Sequence, residues 1–518
     1  MLDTQLKDQI KTVFAPIQKN IELVYVKSSH PDQKELIEML EDLSGLNPQI
    51  KTRANSTEAS FPQFHIEVEG KPNGVYFKGI PGGHEFTSLI LAILNSAGLG
   101  KLPDANTAQR IKNLKGPISL TTYISLTCEN CPDVVQALNQ MAMIHGDFKH
   151  HMTDGGYVQD EISALGIQGV PSVVSDGKLI HSGKISFLDL LSLLESTFGK
   201  KEASHNIIQS DLGHFDVVVV GGGPAGASAA IYSIRKGLKT AVITEKIGGQ
   251  VQDTKGIENL IGVMYTEGPQ LAAQLSQHMS AYPIQILENR RVHKIQKKDK
   301  IEIQLESGEF LKADSVIIAT GAKWRELGIV GEKEYIGRGV AFCPHCDGPF
   351  YKGKKVAVVG GGNSGVEAAI DLAGIVREVI LFEYQDELKA DKVLVDKLKS
   401  LPNVSIVASA KTEQIHGNGQ KVTALEYENR KTKEKVKVDL DGIFVQIGLL
   451  PNSQFLKETV ELTKFGEIVV DPKGRTSVQG IYAAGDVTTT PYKQIIIAMG
   501  EGARTALASF EDRIHQKV

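Results

Sequence analysis

Four cysteines, arranged as two C-x-x-C pairs, are the residues whose type and spacing most clearly suggest chemistry. The pairs are Cys128/Cys131 and Cys343/Cys346, and they account for every cysteine in the chain. Two thiols at this spacing close a disulfide, and a position at a helix start lowers the thiol pKa so that a thiolate can attack another disulfide. We therefore expect both pairs to be redox-active. Asp347 directly follows the second pair and is placed to act as an acid-base group for a departing thiolate.

Two alternatives to redox chemistry are a zinc site built from all four thiolates and a simple role as buried thiols. Cys131 and Cys343 lie 212 positions apart, with a complete nucleotide-binding pattern between them. The knuckles of one zinc site usually lie much closer in sequence. We therefore predict no bound metal.

Two glycine-rich turns predict two dinucleotide sites. The glycines are Gly221, Gly223 and Gly226 in the first turn, and Gly360, Gly362 and Gly365 in the second. Each turn follows a buried-type apolar run (FDVVVV or KKVAVV) and precedes a helix-type segment. Glycines permit a tight turn and a close approach to a pyrophosphate, while the helix N-terminus supplies N–H donors. Two such sites suggest FAD at one and a nicotinamide nucleotide at the other.

An acidic residue follows each turn at the distance expected for a ribose-binding carboxylate. Glu245 lies 24 residues after Gly221, and Glu383 lies 23 residues after Gly360. A carboxylate at this position accepts hydrogen bonds from the ribose hydroxyls of NADH and repels the 2′-phosphate of NADPH. The segment FEYQDELKA contains no arginine, so we predict NADH. The alternative is that Glu383 is only a solvated residue at a strand end.

Two further turns fit a flavoprotein. VIIATGA ends an apolar strand at Thr320 and Gly321, and GIYAAGDV ends another at Gly485 and Asp486. Small residues let the backbone approach a flavin, and an aspartate can bind a ribityl hydroxyl. Each turn is modest evidence alone, but their order around the two glycine motifs strengthens the prediction.

The elements that position the first cysteine pair form the second of two similar units. Residues 1 to about 100 read as helix, strand, helix, two strands and helix, and residues 115–197 read almost the same way. Cys128 follows the strand TTYIS and opens a helix, a thioredoxin-like placement in which Val170–Pro171 should be cis. Glu85, in the loop GIPGGHEF of the first unit, either caps a helix or tunes the Cys128 pair. The polar stretch from 199 to 213 reads as a linker.

Composition excludes several classes of protein. The 518 residues are 41% hydrophobic and 23% charged, and the net charge is −4. These ordinary globular values exclude a disordered or fibrous chain, and nothing indicates binding to nucleic acid. No signal peptide and no membrane-length apolar run is evident, so we expect a soluble, cytoplasmic protein that does not associate with membranes.

Residues 213–518 resemble the low-molecular-weight thioredoxin reductase family through GGGPAG, ATGA, CPHCDG, GGGNSG and AAGDV. With the tandem N-terminal units and TCENCPDVVQAL, the whole chain resembles the flavoprotein subunits of alkyl hydroperoxide reductases. This resemblance implies an α/β fold class: tandem thioredoxin-like folds followed by a Rossmann-like thioredoxin-reductase module that binds FAD and NADH. The implied domains are a cysteine-free thioredoxin-like fold (1–105), a redox-active one (106–198), a linker (199–212), an FAD domain (213–327 and 448–518) and an NADH domain (328–447).

The resemblance also implies site residues and partners. The implied FAD residues are Gly221, Gly223, Pro224, Ala225, Gly226, Glu245, Gln250, Asn259, Thr320, Gly321, Gly485 and Asp486. The implied NADH residues are Gly360, Gly362, Asn363, Ser364, Gly365 and Glu383. Electrons would pass from NADH to FAD, then to Cys343/Cys346, then to Cys128/Cys131, and finally to a two-cysteine peroxiredoxin that reduces hydrogen peroxide and alkyl hydroperoxides. A homodimer and a rotating NADH domain are implied as well.

Three other functions stay open at this point. The chain could be a general reductase of thioredoxin-like carriers, an NADH oxidase that makes hydrogen peroxide by flavin reoxidation, or a flavin-bearing redox sensor. The cysteines would be dispensable for the oxidase, and turnover would be slow for the sensor.

Overall fold

The structure is a computed structural model that describes residues 2–100, 102–128, 130–167, 169–201, 210–254 and 256–516. For Asp253, His345, Cys346 and Gln516 it describes the backbone alone. The chain forms two compact units, which we call the N-terminal unit (Met1–Ile207) and the C-terminal unit (Ile208–Val518).

The N-terminal unit is built on one eight-stranded sheet in the order β2-β1-β3-β4-β6-β5-β7-β8. Its strands are β1 (Ile21–Ser28), β2 (Ile50–Ala59), β3 (Gln63–Val68), β4 (Lys71–Lys78), β5 (Ile118–Ile124), β6 (Phe148–Asp154), β7 (Ser172–Ser175) and β8 (Lys178–Ser182). Its helices are α1 (Thr4–Phe14), α2 (Gln33–Ser44), α3 (Glu85–Ala97), α4 (Ala105–Lys112), α5 (Cys131–His145), α6 (Gln159–Ala164) and α7 (Phe187–Phe198).

The two repeated halves of this unit share one sheet and one core. Strands β4 and β6 pair in parallel, with Val75 opposite His150, and so join the halves edge to edge. Side chains from both halves, such as Leu36, Leu89, Leu138 and Leu191, are fully buried in a single cluster. Burial of this continuous apolar surface is what stabilises the pair of halves as one body.

The predicted order of elements omitted four elements of this unit. Strands β2 and β6 were both missed, as were the short helices α4 and α6. The segment KTRANSTEA in β2 is polar because it is the edge strand of the sheet, and its side chains alternate only weakly between buried and exposed. Edge strands lack the apolar pattern on which strand prediction depends.

The C-terminal unit contains two larger sheets, one around each glycine-rich turn. The first has the order β11-β10-β9-β14-β13-β12, with β25 also paired to β14, and the second is β16-β23-β17-β18-β19. A three-stranded antiparallel sheet, β20-β21-β22, and a two-stranded ribbon, β15-β24, complete it. The ribbon is the place where the chain leaves the first sheet and returns to it.

The strands of this unit are β9 (Asp211–Val220), β10 (Thr240–Ile243), β11 (Gln285–Leu287), β12 (Val292–Lys297), β13 (Ile301–Leu305), β14 (Phe310–Ile318), β15 (Ala322–Trp324), β16 (Val340–Ala341), β17 (Lys355–Val359), β18 (Glu378–Phe382), β19 (Val404–Val407), β20 (Ala410–Gly417), β21 (Val422–Asn429), β22 (Lys435–Asp439), β23 (Gly442–Val445), β24 (Leu449–Pro451) and β25 (Ile481–Ala483). The helices are α8 (Pro224–Arg235), α9 (Gly268–Ser280), α10 (Glu332–Tyr335), α11 (Pro344–Asp347), α12 (Asn363–Ala373), α13 (Lys392–Lys399) and α14 (Ile495–Gln516). In the described part of this unit, 3-10 turns lie at Gly249–Asp253, Gly348–Tyr351 and Gln454–Leu456, and another, Gly155–Tyr157, lies in the N-terminal unit.

The predicted linker, residues 199–212, falls largely on positions 202–209, which lie outside the described residues. At its start, the Lys201 backbone N–H donates to the Asn113 carbonyl, 2.9 Å away. At its end, Asp211 already belongs to strand β9 and is opposite Phe310. Lys201 and Asp211, at the two ends of the predicted linker, thus each contact an element of the unit to which they belong.

Candidate redox and dinucleotide sites

The first cysteine pair is a disulfide between Cys128 and Cys131 at the start of α5. Cys131 is fully buried, whereas Cys128 is partly exposed. The Cys128 Sγ lies 3.7 Å from the carbonyl oxygen of Val170, and the Val170–Pro171 bond is cis, as predicted. Of the two sulfurs, Cys128 is thus the one that an external disulfide can reach.

The loop from the first half of the N-terminal unit contacts the segment that precedes Cys128. The His84 backbone N–H donates to the Leu126 carbonyl at 3.3 Å, and a Cβ on Gly83 would lie 2.5 Å from the same oxygen. Glu85, the next residue, is 0% exposed, and burial raises the pKa of its carboxyl to about 7. Neither of its oxygens has a hydrogen-bond partner among the described residues, so Glu85 does not cap α3.

The second cysteine pair lies in the C-terminal unit, between β16 and the 3-10 turn that begins at Gly348. Cys343 is disulfide-bonded, whereas the side chain of Cys346 lies outside the described part of the chain. The Asp347 backbone N–H donates to the Cys343 carbonyl at 2.9 Å, which fixes Asp347 one helical turn from the sulfur-bearing residue. Burial raises the pKa of the Asp347 carboxyl to about 6, within reach of a proton-transfer role near neutral pH.

The first glycine-rich turn has a shape that fits a bound pyrophosphate. A Cβ on Gly221 would lie 2.1 Å from the Ala319 carbonyl oxygen, and one on Gly226 would lie 1.9 Å from the Gly221 carbonyl oxygen, so both positions require glycine. At Gly223, in contrast, the nearest atom would be 3.8 Å away, which leaves room on the ligand side. Gly223 precedes Pro224 and Ala225 at the start of α8, where no side chain caps the free N–H groups. Those N–H donors and the helix dipole suit a phosphate.

The acids predicted for FAD have different surroundings. The Glu245 carboxylate accepts two hydrogen bonds from Arg291, at 2.9 and 2.7 Å, a partner that sequence spacing did not reveal. Asp486 lies near Lys493 and Glu501, and burial raises the pKa of its carboxyl. The neighbouring Gly485 packs on Ala225 at the start of α8, since a Cβ there would lie 2.9 Å from the Ala225 side chain. The structure therefore brings the GD turn to the first glycine turn.

The other residues predicted for FAD make contacts within the protein. The Gln250 amide lies 2.7 Å from the Ala322 carbonyl oxygen and 3.1 Å from the Trp324 Nε1 of strand β15. The Asn259 Nδ2 donates to Gln494 Oε1 at 3.1 Å. The Thr320 hydroxyl donates to the Asn452 carbonyl at 2.8 Å, while Gly321 has open space around its Cβ position.

The second glycine turn repeats the geometry of the first. A Cβ on Gly360 would lie 2.3 Å from the Gln446 carbonyl oxygen, and one on Gly365 would lie 1.9 Å from the Gly360 carbonyl oxygen. Gly362 has open space, and it precedes an uncapped α12. Asn363 is tied to Asp391 by two hydrogen bonds, whereas Ser364 is exposed.

Glu383 is held beside this turn rather than solvated. Its Oε2 accepts from the Gly361 N–H at 2.5 Å and its Oε1 from the Gln385 N–H at 2.6 Å. The residue is buried. A fixed carboxylate at the end of β18 is in the position where a dinucleotide ribose is bound in this kind of fold.

Three features near these sites were missed from the sequence because they join distant segments. They are Arg291 on Glu245, Trp324 stacked on Phe342 next to Cys343 (ring centroids 6.2 Å apart), and Arg430 over the ring of Tyr384. No spacing signal in the sequence predicts any of them. Among the described residues, no helix is long and apolar enough to cross a bilayer, and no cluster of three or more metal-binding side chains occurs.

Two glycine-turn sheets with a cysteine pair between them define a pyridine nucleotide-disulphide oxidoreductase, and the model of that family matches residues 215–502. A thioredoxin domain model matches residues 120–192. Similar solved structures are the thioredoxin reductases of Streptococcus pyogenes (35% identity, TM-score 0.55) and Giardia duodenalis (32% identity, TM-score 0.56). Each aligns with 57% of this chain, and the chain covers 97% and 98% of them, respectively.

The F subunit of the alkyl hydroperoxide reductase of Pseudomonas putida is 48% identical over 517 residues, covering 99% of both chains. A protein of Bacillus subtilis named NADH dehydrogenase is 45% identical over 514 residues, again covering 99% of each chain. The chain belongs to the family of alkyl hydroperoxide reductase F subunits. The resemblance and the fold class inferred from sequence are confirmed, and the chain is an NADH-dependent flavin oxidoreductase with FAD and NADH as its cofactors.

Proposed function

We propose that the chain carries electrons from NADH, through FAD, to Cys343/Cys346, then to Cys128/Cys131, and finally to a two-cysteine peroxiredoxin that reduces hydrogen peroxide and alkyl hydroperoxides. One observation carries this proposal. A second disulfide, Cys128–Cys131, is closed in a thioredoxin-like unit in addition to the disulfide at Cys343 in the reductase module. A reductase that served outside substrates directly would have no use for the second pair.

The residues that hold the cofactors are proposed from the geometry of the turns. The uncapped start of α8, Glu245 and the Gly485–Asp486 turn would bind FAD, and the start of α12 with Glu383 would bind NADH. We also assign the glycines of each turn to its site, together with Gln250, Asn259, Thr320 and Gly321 for FAD and Asn363 and Ser364 for NADH. When bound, FAD accepts a hydride equivalent from NADH and passes two electrons to a disulfide.

At the inner pair, Asp347 handles the proton. Two-electron reduction breaks the S–S bond of Cys343 and yields two thiolates, one of which takes up a proton and becomes a thiol. A carboxyl whose pKa lies at about 6 is protonated often enough near neutral pH to supply it. Asp347 lies one helical turn after Cys343, so the proton donor and the leaving sulfur belong to the same short segment.

At the outer pair, Cys128 is the attacking thiol and Cys131 the resolving thiol. The Cys128 thiolate attacks the oxidised peroxiredoxin and forms a mixed disulfide. The buried Cys131 thiol then closes the Cys128–Cys131 bond, which releases the peroxiredoxin as a dithiol. The difference in exposure between the two sulfurs supports this division of roles.

Four further proposals concern the domains, the oligomeric state, the location and the domain motion of the protein. We propose the domain boundaries given above, a homodimer, a cytoplasmic location, and the ribbon β15-β24 as the pivot about which the NADH domain turns. The ribbon supports the last point because its paired residues, Ala322–Pro451 to Trp324–Leu449, are where the chain passes between the two sheets.

The test is NADH oxidation coupled to a two-cysteine peroxiredoxin and an alkyl hydroperoxide. We compare the wild type with Cys128→Ser/Cys131→Ser and with Cys343→Ser/Cys346→Ser, and we expect both double variants to lose coupled turnover. If the Cys128/Cys131 variant kept full turnover on the peroxiredoxin, or if free thioredoxin were reduced faster, the general reductase would be the better description.

An NADH oxidase is a second candidate because a 45% identical relative is named NADH dehydrogenase. Its turnover requires no thiols. A variant with all four cysteines replaced by serine that oxidised NADH at the full wild-type rate, with hydrogen peroxide as the product, would favour this candidate over the peroxiredoxin reductase.

A further inference from the structure

The surface beyond the end of β18 contains an aromatic side chain directly after the ribose acid. Tyr384 follows Glu383 and is 51% exposed. The Arg430 guanidinium lies 4.1 Å from the centre of the Tyr384 ring, so one face of the ring is covered by a cation. A single exposed tyrosine does not indicate a binding site, but the Tyr384 ring packs against Arg430 and directly follows the proposed ribose-binding residue, Glu383.

Arg430 directly follows β21, a strand of the three-stranded antiparallel sheet, and three contacts hold it beside Tyr384. Its backbone N–H donates to the Ser409 carbonyl at 2.7 Å, and its Nη1 donates to the Tyr384 carbonyl at 2.9 Å. Asp386, whose carboxylate accepts from the Ser409 hydroxyl at 2.6 Å, lies 3.9 Å from Arg430 Nη1. These contacts fix the guanidinium and, through it, the orientation of the Tyr384 ring.

The direction in which a bound dinucleotide must run follows from the site. The pyrophosphate belongs at the start of α12 and the adenosine ribose at Glu383, so the adenine base continues past Glu383 and away from the turn. Tyr384, the residue after Glu383, places an exposed aromatic ring at that end. Aromatic rings bind bases by stacking, and a guanidinium behind the ring strengthens the platform.

We propose that Tyr384, backed by Arg430, is the surface on which the adenine of NADH stacks. This inference rests on the proposed function and adds a residue that determines affinity for the adenosine half of the nucleotide. The charge of Arg430 is already engaged by Tyr384 and Asp386, which makes it a support for the ring rather than a ligand for a 2′-phosphate.

The test separates the two halves of the nucleotide in the intact, FAD-loaded protein. Steady-state reduction of Ellman's reagent is measured with NADH and with reduced nicotinamide mononucleotide, which lacks adenosine. The variants are Tyr384→Leu, Tyr384→Phe and, as a matched control, Phe465→Leu. Phe465 is likewise exposed (68%) with a lysine, Lys464, 5.0 Å from its ring centre, but it lies outside the proposed nucleotide sites.

Tyr384→Leu is expected to raise KM for NADH about five- to tenfold, with kcat unchanged and with the mononucleotide kinetics unaffected. Tyr384→Phe keeps the ring and is expected to match the wild type, as is Phe465→Leu. An unchanged KM for NADH in Tyr384→Leu would overturn the inference, and so would an equal rise in KM for both nucleotides.

Calorimetric titration with ADP-ribose gives a second readout that does not depend on turnover. The dissociation constant is expected to rise by the same factor in Tyr384→Leu, and an unchanged constant would overturn the inference. A wild-type protein that failed to oxidise NADH at all would instead refute the proposed function, while the ADP-ribose titration would still decide the role of Tyr384.

Discussion

Replacing the buried Glu85 with glutamine is expected to remove a pH-dependent loss of stability from the N-terminal unit. The Glu85 side chain is 0% exposed, and the nearby Ser88 hydroxyl offsets only part of the cost of burying its charge, so the folded state disfavours the ionised form. Burial raises the pKa from 4.5 to about 7. Between these two values the folded state holds a proton that the unfolded state has released, so stability falls as the pH rises and levels off above about 7.

The size of the effect follows from the difference between the folded and unfolded pKa. A difference of about 2.5 at about 1.4 kcal/mol per pH unit corresponds to a loss of about 3 kcal/mol across this pH range. Glutamine has a similar shape and no charge to bury. Glu85→Gln is therefore expected to match the wild type near pH 4.5 and to exceed its stability by about 3 kcal/mol at pH 8.

Hydrogen exchange on the intact protein measures this locally. The opening free energy of amides in β4 and α3 is compared at pH 5 and pH 8 after correction for intrinsic exchange rates, with amides of β17 in the C-terminal unit as the internal control. Equal pH dependence in the wild type and Glu85→Gln would refute the reasoning, because the buried carboxyl would then not be the titrating group. A change in β17 would show that the effect is not local.

Three further predictions test the sites. Glu383→Gln leaves one of the two N–H donors, at Gly361 or Gln385, facing an amide NH2 in place of an oxygen acceptor, and it should lower the kcat/KM preference for NADH over NADPH by about tenfold or more; an unchanged preference would argue against Glu383 as the ribose acid. Asp347→Asn should slow reduction of the Cys343 disulfide, measured by stopped flow, about 100-fold and should remove the inflection of the rate near pH 6. An inflection near pH 6 that persisted in the variant would show that another group supplies the proton. Arg290→Met takes the guanidinium away from the buried Glu309 carboxylate, which keeps the Ser307 hydroxyl as a donor, and should cost about 3–5 kcal/mol of stability, measured by urea unfolding with Trp324 fluorescence; Lys298→Met, on an exposed pair, should cost less than about 1 kcal/mol, and equal losses would contradict the argument.

The parts of the fold and site that sequence reasoning predicted are those set by local chemistry. Gly226 and Gly365 leave no room for a Cβ, because it would lie 1.9 Å from the carbonyl oxygens of Gly221 and Gly360, respectively, and the spacing of these glycines after an apolar strand identifies both turns. The cis bond before Pro171 followed from the thioredoxin-like placement of Cys128. In these cases a short sequence motif was enough to identify the constraint.

The parts that were missed depend on contacts between distant segments. Arg291 reaches Glu245 across 46 residues, and Arg430 reaches Tyr384 across the same separation. The edge strand β2 has a polar sequence because only one of its sides is paired. The burial of Glu85 depends on how the two halves of the N-terminal unit pack together, and burial decides its pKa.

An anaerobic titration with NADH tests most directly the claim that electrons reach Cys128/Cys131 only through Cys343/Cys346. With one two-electron acceptor in FAD and one in each of the two disulfides, the wild type should consume three equivalents of NADH and Cys128→Ser/Cys131→Ser should consume two. Cys343→Ser/Cys346→Ser should consume a single equivalent and leave the Cys128–Cys131 disulfide closed. If that variant took up two equivalents and opened the Cys128–Cys131 bond, the proposed order of electron transfer would be contradicted.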